Sequence, residues 1–161
     1  MSTMVQSEPF INMRGQQKSS ETCSLISLEA LAQRSVEQLQ ALRLARIDWR
    51  NDEAETDVFS LTLNDGSTCK AGSFDYTKSH VFSDDDKISK VVVFEKPNAA
   101  VIEKLVFFDG EKVLVDTFPK GNELGRKHVF RVGPSEQLVS ADLIKCDKYF
   151  RGISFVKLTS Q

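Results

Sequence analysis

A stretch of ten residues, Asp57–Gly66 (DVFSLTLNDG), has two echoes further along the chain, Val101–Gly110 (VIEKLVFFDG) and Tyr149–Leu158 (YFRGISFVKL). Aligning Leu61, Leu105 and Ile153, 44 and 48 residues apart, sets Leu63 level with Phe107 and Phe155. It also sets Asp65-Gly66 on Asp109-Gly110. Each copy follows a second short apolar run: Ala45–Trp49, Lys90–Phe94 and Ser140–Lys145. One unit therefore occurs three times, as strand, polar loop, strand and turn. Such a repeat constrains the fold more than any local motif, because each unit alone leaves an apolar face that only its neighbours can bury.

Inside the units the period is two. Phe59, Leu61 and Leu63 alternate with Ser60 and Thr62, the pattern of a half-buried strand. In Lys104–Phe108 the polar partners are replaced, giving LVFF, which predicts a strand covered on both faces. Asn64-Asp65-Gly66 and Asp109-Gly110 are turn sequences, because Gly and Asn/Asp tolerate the positive φ of tight hairpins. Pro97-Asn98 breaks the loop inside the second copy. The intervening segments, Cys69–Lys87 and Val113–Gln137, each have room for two more strands. The candidates are Lys70–Phe74 and His80–Phe82 in the first, and Val113–Thr117 and His128–Val132 in the second. Short strands with frequent turn signals and no βα alternation make the chain all-β, with about four strands per unit and about twelve in all. Their edges are protected only if the sheets close on one another.

Residues 1–23 are polar and aperiodic and read as an extended or disordered arm. The apolar anchors there are Met4, Val5, Phe10, Ile11 and Met13; the segment is either a docking arm or a solvated tail. Residues 24–42 read as one helix. Leu28, Leu31, Ala32, Ser35, Leu39 and Leu42 form a stripe at i, i+3, i+4, i+7 spacing. Ser27 suits the N-cap and Glu29 the positive end of the dipole. The stripe is interrupted at Ser35 and is too short for a long coiled coil. This helix either covers an open face of its own domain or meets a partner protein. Phe10, Ile11, Met13, Leu28, Leu31 and Leu39 are accordingly the candidate docking residues, and residues 43–161 the all-β domain.

Hydrophobic residues make up 40% and charged residues 27%, enough for a packed core. Eleven Phe against one Trp and two Tyr favour buried ring packing over a stacking surface. The net charge of −2, from 21 basic and 23 acidic residues, offers no basic footprint, so nucleic acid is not an expected partner. No run approaches the ~18 apolar residues of a membrane span, and the N-terminus lacks the pattern of a signal peptide. The three cysteines, Cys23, Cys69 and Cys146, are odd in number and without C-x-x-C spacing. They read as reduced thiols rather than a zinc site or a disulfide framework. An intracellular protein is expected, soluble or within a cytoplasmic or organellar complex.

Catalytic patterns are absent from the sequence. His80 and His128 each precede a Val-Phe pair and read as strand-face residues with backbone partners. A nucleophile built from Cys69 or Cys146 with either histidine has no local support. Ser83-Asp84-Asp85-Asp86 lacks the ligand spacing and glycine of a calcium loop and reads as a solvated turn, as does the acidic loop of Asp52, Glu53, Glu55 and Asp57. Gly121 and Gly125 do not sit between a strand and a helix, which excludes a phosphate loop. Neither an enzyme nor a cofactor nor a metal is expected.

The stretch from Val81 to Gln161 resembles a jacalin-related lectin domain. Ile88, Val91 and Val93 match the family's I-x-x-V-x-V strand. Gly133-Pro134-Ser135-Glu136 matches its Glu turn, and Ile153-Ser154-Phe155 its last strand. The resemblance implies a β-prism of three four-stranded Greek-key sheets about a pseudo-threefold axis. Residues 43–72 supply the remaining unit ahead of the others, an order circularly permuted relative to typical members. Sugar-binding members carry a Gly-x-x-x-Asp loop. The corresponding loops here, Arg50–Asp57, Glu95–Ala100 and Lys145–Lys148, contain no glycine, and Asp147 and Arg151 fall at the motif's ends in the third. The candidate ligand residues are Arg50, Asp52, Glu53, Asp57 and Asn98, together with Asp147, Lys148, Tyr149 and Arg151. The expected role is a non-catalytic protein-interaction or structural module with protein partners in a larger intracellular assembly; the alternative is a carbohydrate-binding lectin.

Overall fold

The computed structural model describes residues 2–7, 10–11, 20–97 and 101–160. The N-terminal segment supplies β1 (Ser2–Gln6), β2 (Phe10–Ile11) and β3 (Ser20–Ser24). Two short helices follow, α1 (Leu28–Ala32) and α2 (Val36–Gln40). The first repeat gives β4 (Leu44–Asp52), β5 (Glu55–Leu63), β6 (Thr68–Ala71) and β7 (Lys78–Val81). The second gives β8 (Lys90–Glu95), β9 (Ile102–Asp109), β10 (Lys112–Asp116) and β11 (Lys127–Arg131). The third contributes β12 (Glu136–Cys146) and β13 (Tyr149–Ser160).

These strands form three antiparallel sheets. Their orders are β6-β5-β4-β7, β10-β9-β8-β11 and β1-β13-β12-β3, with β2 also paired to β13. The long hairpins at their centres are the sequence repeat, and the register explains it. Leu61 pairs with Ile47, Leu105 with Val93, and Ile153 with Leu143. Two residues on, Leu63 pairs with Leu44, Phe107 with Val91, and Phe155 with Ala141. All twelve are buried, because alternation at period two sends each pair to the same face, and a bulge between Leu44 and Arg46 keeps Leu44, three residues from Ile47, on that face. Phenylalanine joins the sheets where they meet. Phe59 stacks on Phe107 of the second sheet at 6.5 Å and on Phe150 of the third at 5.2 Å. As the LVFF run predicts, β9 is covered on both sides: Leu105 and Phe107 face the common core, while Val106 packs outside with Val92 and Phe94.

Residues 1–23, read as an extended or disordered arm, are extended wherever they are described, and they join the third sheet. Their strands are laid against β13 or β12. Ser7 anchors the end of β1: its backbone N donates to the Phe155 carbonyl at 2.8 Å, and its Oγ accepts from Phe155 N at 2.9 Å. A strand held by a backbone ladder at a sheet edge requires no apolar alternation, and β3 shows none, four of its five residues being exposed.

The single helix expected over residues 24–42 is two. Ser35, which interrupts the stripe, is the N-cap of α2 in a capping box with Gln38. Ser27 caps α1 as expected, accepting from Ala30 N. Leu25, Ile26, Leu31, Leu39 and Leu42 join the common core, so the pair closes one end of the prism. Ser140 clamps the approach to α1, accepting from Ile26 N at 2.9 Å and donating to Ile26 O at 2.8 Å.

The cysteines also differ from expectation. Cys23 of β3 and Cys69 of β6 form a disulfide across 46 residues of chain, leaving Cys146 free and buried. The odd count comprises one pair and one core thiol, in place of the three reduced thiols expected. Among the described residues no helix is long and apolar enough to cross a membrane.

Candidate functional site

At the end of the prism away from the helices, the β4–β5 and β12–β13 hairpins finish in short tips. The β4–β5 tip places Glu53 at φ 49° and the β12–β13 tip places Asp147 at φ 56°. Both tips use the left-handed region without a glycine, a conformation that favours Gly, Asn and Asp. A third loop, between β6 and β7, is brought beside them by Gly72. Its φ is 113°, and a Cβ there would lie 2.8 Å from Val58 Cγ2 and 2.9 Å from Asp57 O, so any side chain would push the loop off β5. Beyond it, Ser73 N donates to Lys148 O at 2.9 Å, tying this loop to the β12–β13 tip.

The side chains of this corner form a layered arrangement. Phe74 and Tyr149 lie 5.8 Å apart between ring centres. The Arg50 guanidinium sits 4.3 Å above Phe74, and that of Arg151 4.6 Å above Tyr149. Planar guanidinium groups suit this stacking. Each arginine is also held by a carboxylate. Arg151 Nη1 donates to Glu55 Oε2 at 2.9 Å, with both side chains largely buried. Arg50 Nη1 lies 3.3 Å from Asp57 Oδ2. The Asp57 side chain is fully enclosed, and neither of its oxygens has a hydrogen-bond partner. Burial raises its carboxyl pKa, opposed by Arg50 and reinforced by Asp52 and Glu55.

Eight of the nine candidate ligand residues therefore gather on two adjoining hairpins: Arg50, Asp52, Glu53 and Asp57 on one, Asp147, Lys148, Tyr149 and Arg151 on the other. They differ in exposure. Asp147 and Lys148 are exposed, Tyr149 and Arg151 half-buried, and Asp57 inaccessible. Asn98 lies outside the described residues. Phe74 is missing from the sequence-based set because Lys70–Phe74 reads as strand; β6 in fact ends at Ala71. The signal for it is Gly72, two residues ahead of an aromatic and one past the strand's end.

Of the docking candidates, Leu31 and Leu39 are buried in the chain's own core, which removes them from any surface, whereas Leu28 is 45% exposed. Phe10 and Ile11 lie in β2 against β13, and Met13 lies outside the described residues. Both histidines lie on strands, β7 and β11. His128 Nε2 lies 2.9 Å from Glu95 Oε2, and His80 packs edge-on against Phe82 at 4.8 Å. Cys69 is in the disulfide, and burial pushes the Cys146 thiol pKa up, away from the thiolate a nucleophile needs. Among the described residues no three His, Cys, Asp or Glu side chains are grouped to hold a metal.

Three antiparallel sheets closed about a common axis form the β-prism of the jacalin-related lectins, and this chain has that fold. The Calsepa lectin, solved in complex with a bisected glycan, superposes with a TM-score of 0.61 at 11% identity, covering 96% of each chain. A point variant of Malaysian banana lectin gives a TM-score of 0.64 at 12% identity over 98% of this chain and 99% of that one. Lamprey immune protein gives 0.66 at 12% identity, but the match spans 96% of this chain and only 44% of the lamprey protein. No family model and no curated sequence matches the chain.

Proposed function

We propose that the chain is a non-catalytic carbohydrate-binding module that holds a glycan at the corner of the β4–β5 tip, the β6–β7 loop and the β12–β13 tip. The observation that carries this reading is the Phe74–Tyr149 pair, fixed at 5.8 Å with an arginine on each ring. The C–H face of a sugar ring packs on an aromatic face, which bears the negative part of the ring's quadrupole. Exposed Asp147 and Lys148 beside it offer an acceptor and a donor for hydroxyl groups, and charged partners make the stronger hydrogen bonds. Arg50 and Arg151 are engaged by Asp57 and Glu55, so their role is to hold the rings. The Calsepa lectin, of the same fold, was solved with a glycan, which adds support.

A protein-docking role draws less support, because Leu31 and Leu39 are used inside the domain and β1 completes the chain's own sheet. The test is a glycan array with the folded full chain, repeated with Tyr149→Ala and with Asp147→Asn, whose asparagine tolerates the left-handed tip. Binding should fall at least about tenfold in Tyr149→Ala, a loss of ~1.4 kcal/mol. An array without hits, or one whose hits survive both substitutions, rejects the corner as a sugar site.

A further inference from the structure

At the opposite end, between the α2–β4 junction, the turn after β7 and the turn before β12, lies a cavity of about 640 Å³. That volume is typical of small-molecule sites. Its floor is apolar: Leu42, Leu44, Phe82, Val132 and Leu158 belong to the core and present one side to it, with Ile88 packed at the margin. Its walls are held in place by protein contacts. Lys87 ties two loops, its backbone N donating to Asp109 Oδ2 at 3.1 Å and its Nζ to the Pro134 carbonyl at 2.6 Å. Asp86 Oδ2 accepts from Ser83 N at 2.8 Å, which fixes the acidic turn.

The charges of the wall are unequally matched. Arg43 faces Asp84 at 2.5 Å, and Glu136 is met from outside the cavity by Lys157 at 2.8 Å. Lys87 directs its ammonium to a carbonyl. Among the described residues, Asp85 and Asp86 have no basic side chain within ion-pair distance. An anion entering here finds both basic groups engaged, whereas a cation finds two carboxylates at the mouth of an apolar floor.

We propose that this cavity binds a small organic cation, an ammonium or guanidinium on an apolar body, with the body against Leu44, Phe82 and Ile88 and the charge beside Asp85 and Asp86. The site is separate from the hairpin corner and does not depend on the carbohydrate reading. The test is an NMR titration of the isotope-labelled full chain with phenylbutylammonium chloride, with phenylbutanol and phenylbutyrate as matched neutral and anionic probes. Saturable shifts are expected at Leu44, Ile88 and Val132 with the amine. The alcohol should bind at least about tenfold more weakly, the equivalent of one charged contact of ~1.4 kcal/mol, and the acid should leave these resonances unmoved. The combined Asp85→Asn and Asp86→Asn variant, both positions being on the surface turn, should reduce amine binding to that of the alcohol. Unchanged resonances of β9 would show its fold intact. Equal binding of alcohol and amine overturns the role of charge; shifts elsewhere, or none with any probe, overturn the site.

Discussion

The two ends of this prism are built from opposite materials. At the helical end, Leu31 and Leu39 bring apolar side chains down onto the strand ends, and the polar groups beneath are satisfied, as at Ser140. Among the described residues no helix covers the hairpin end. Instead Arg50 and Asp57 are packed among the tips, with Asp57 enclosed and its oxygens lacking hydrogen bonds. A buried carboxylate without full hydrogen bonding costs stability, whereas a buried leucine adds it. Apolar packing therefore closes one end, while an enclosed and incompletely hydrogen-bonded ion pair lies at the other, where a ligand site is proposed.

The largest test of this comparison lies between the ends. Phe107 is fully buried and touches the rings of Phe59 and Phe82. Replacing it with Ala should lower unfolding free energy by ~3–5 kcal/mol in denaturant titration. A loss below about 1 kcal/mol would contradict its place at the junction of the sheets. At the helical end, Leu31→Ala should cost ~2–5 kcal/mol and leave any glycan affinity of the remaining folded protein unchanged. Parallel loss of affinity would mean that the ends are coupled.

Two carboxylates sharpen the contrast through pH. Near the helical end, Glu136 accepts from Lys157, Gly133 N and Thr159, and its pKa falls from 4.5 to about 2. The unfolded chain then binds the proton first, so this contribution is complete above the unfolded value and lost as pH falls toward 2. Asp57 has the opposite sign. Its folded pKa lies above the ordinary 3.8, so the native state retains the proton longer, and its ionisation penalises folding as pH rises through that window. Stability measured against pH should therefore show wild type losing its lead over Glu136→Gln in acid. Wild type should fall relative to Asp57→Asn as pH rises above the unfolded value. Curves that stay parallel would refute both assignments. The smallest expected effect is Ser35→Ala, which removes one half of the α2 capping box and should cost about 1 kcal/mol. A cost indistinguishable from zero would show that packing of Leu39 alone holds α2.

Much of the fold was legible because side-chain alternation and burial are the same fact in a sheet. The pairs Ile47–Leu61, Val93–Leu105 and Leu143–Ile153 follow from aligning three short runs, and the four outer strands of the first two repeats lie within a few residues of their expected places. The candidate corner was half legible. Both hairpin tips were marked by charge and position, but Phe74 was not, since nothing local says that Gly72 folds its loop against β5 and the neighbouring sheet's tip.

What the sequence determined by itself is therefore the repeat, the central hairpins and the apolar set they bury, all encoded in short-range period. Tertiary structure alone decided that β1 and β3 complete the third sheet, that Cys23 meets Cys69, and that Arg50 and Arg151 share one aromatic pair. The physical reason is common to all three. A backbone ladder is blind to side-chain pattern, and a disulfide or a stacked ring depends on distances between residues far apart in the chain, which no local pattern records.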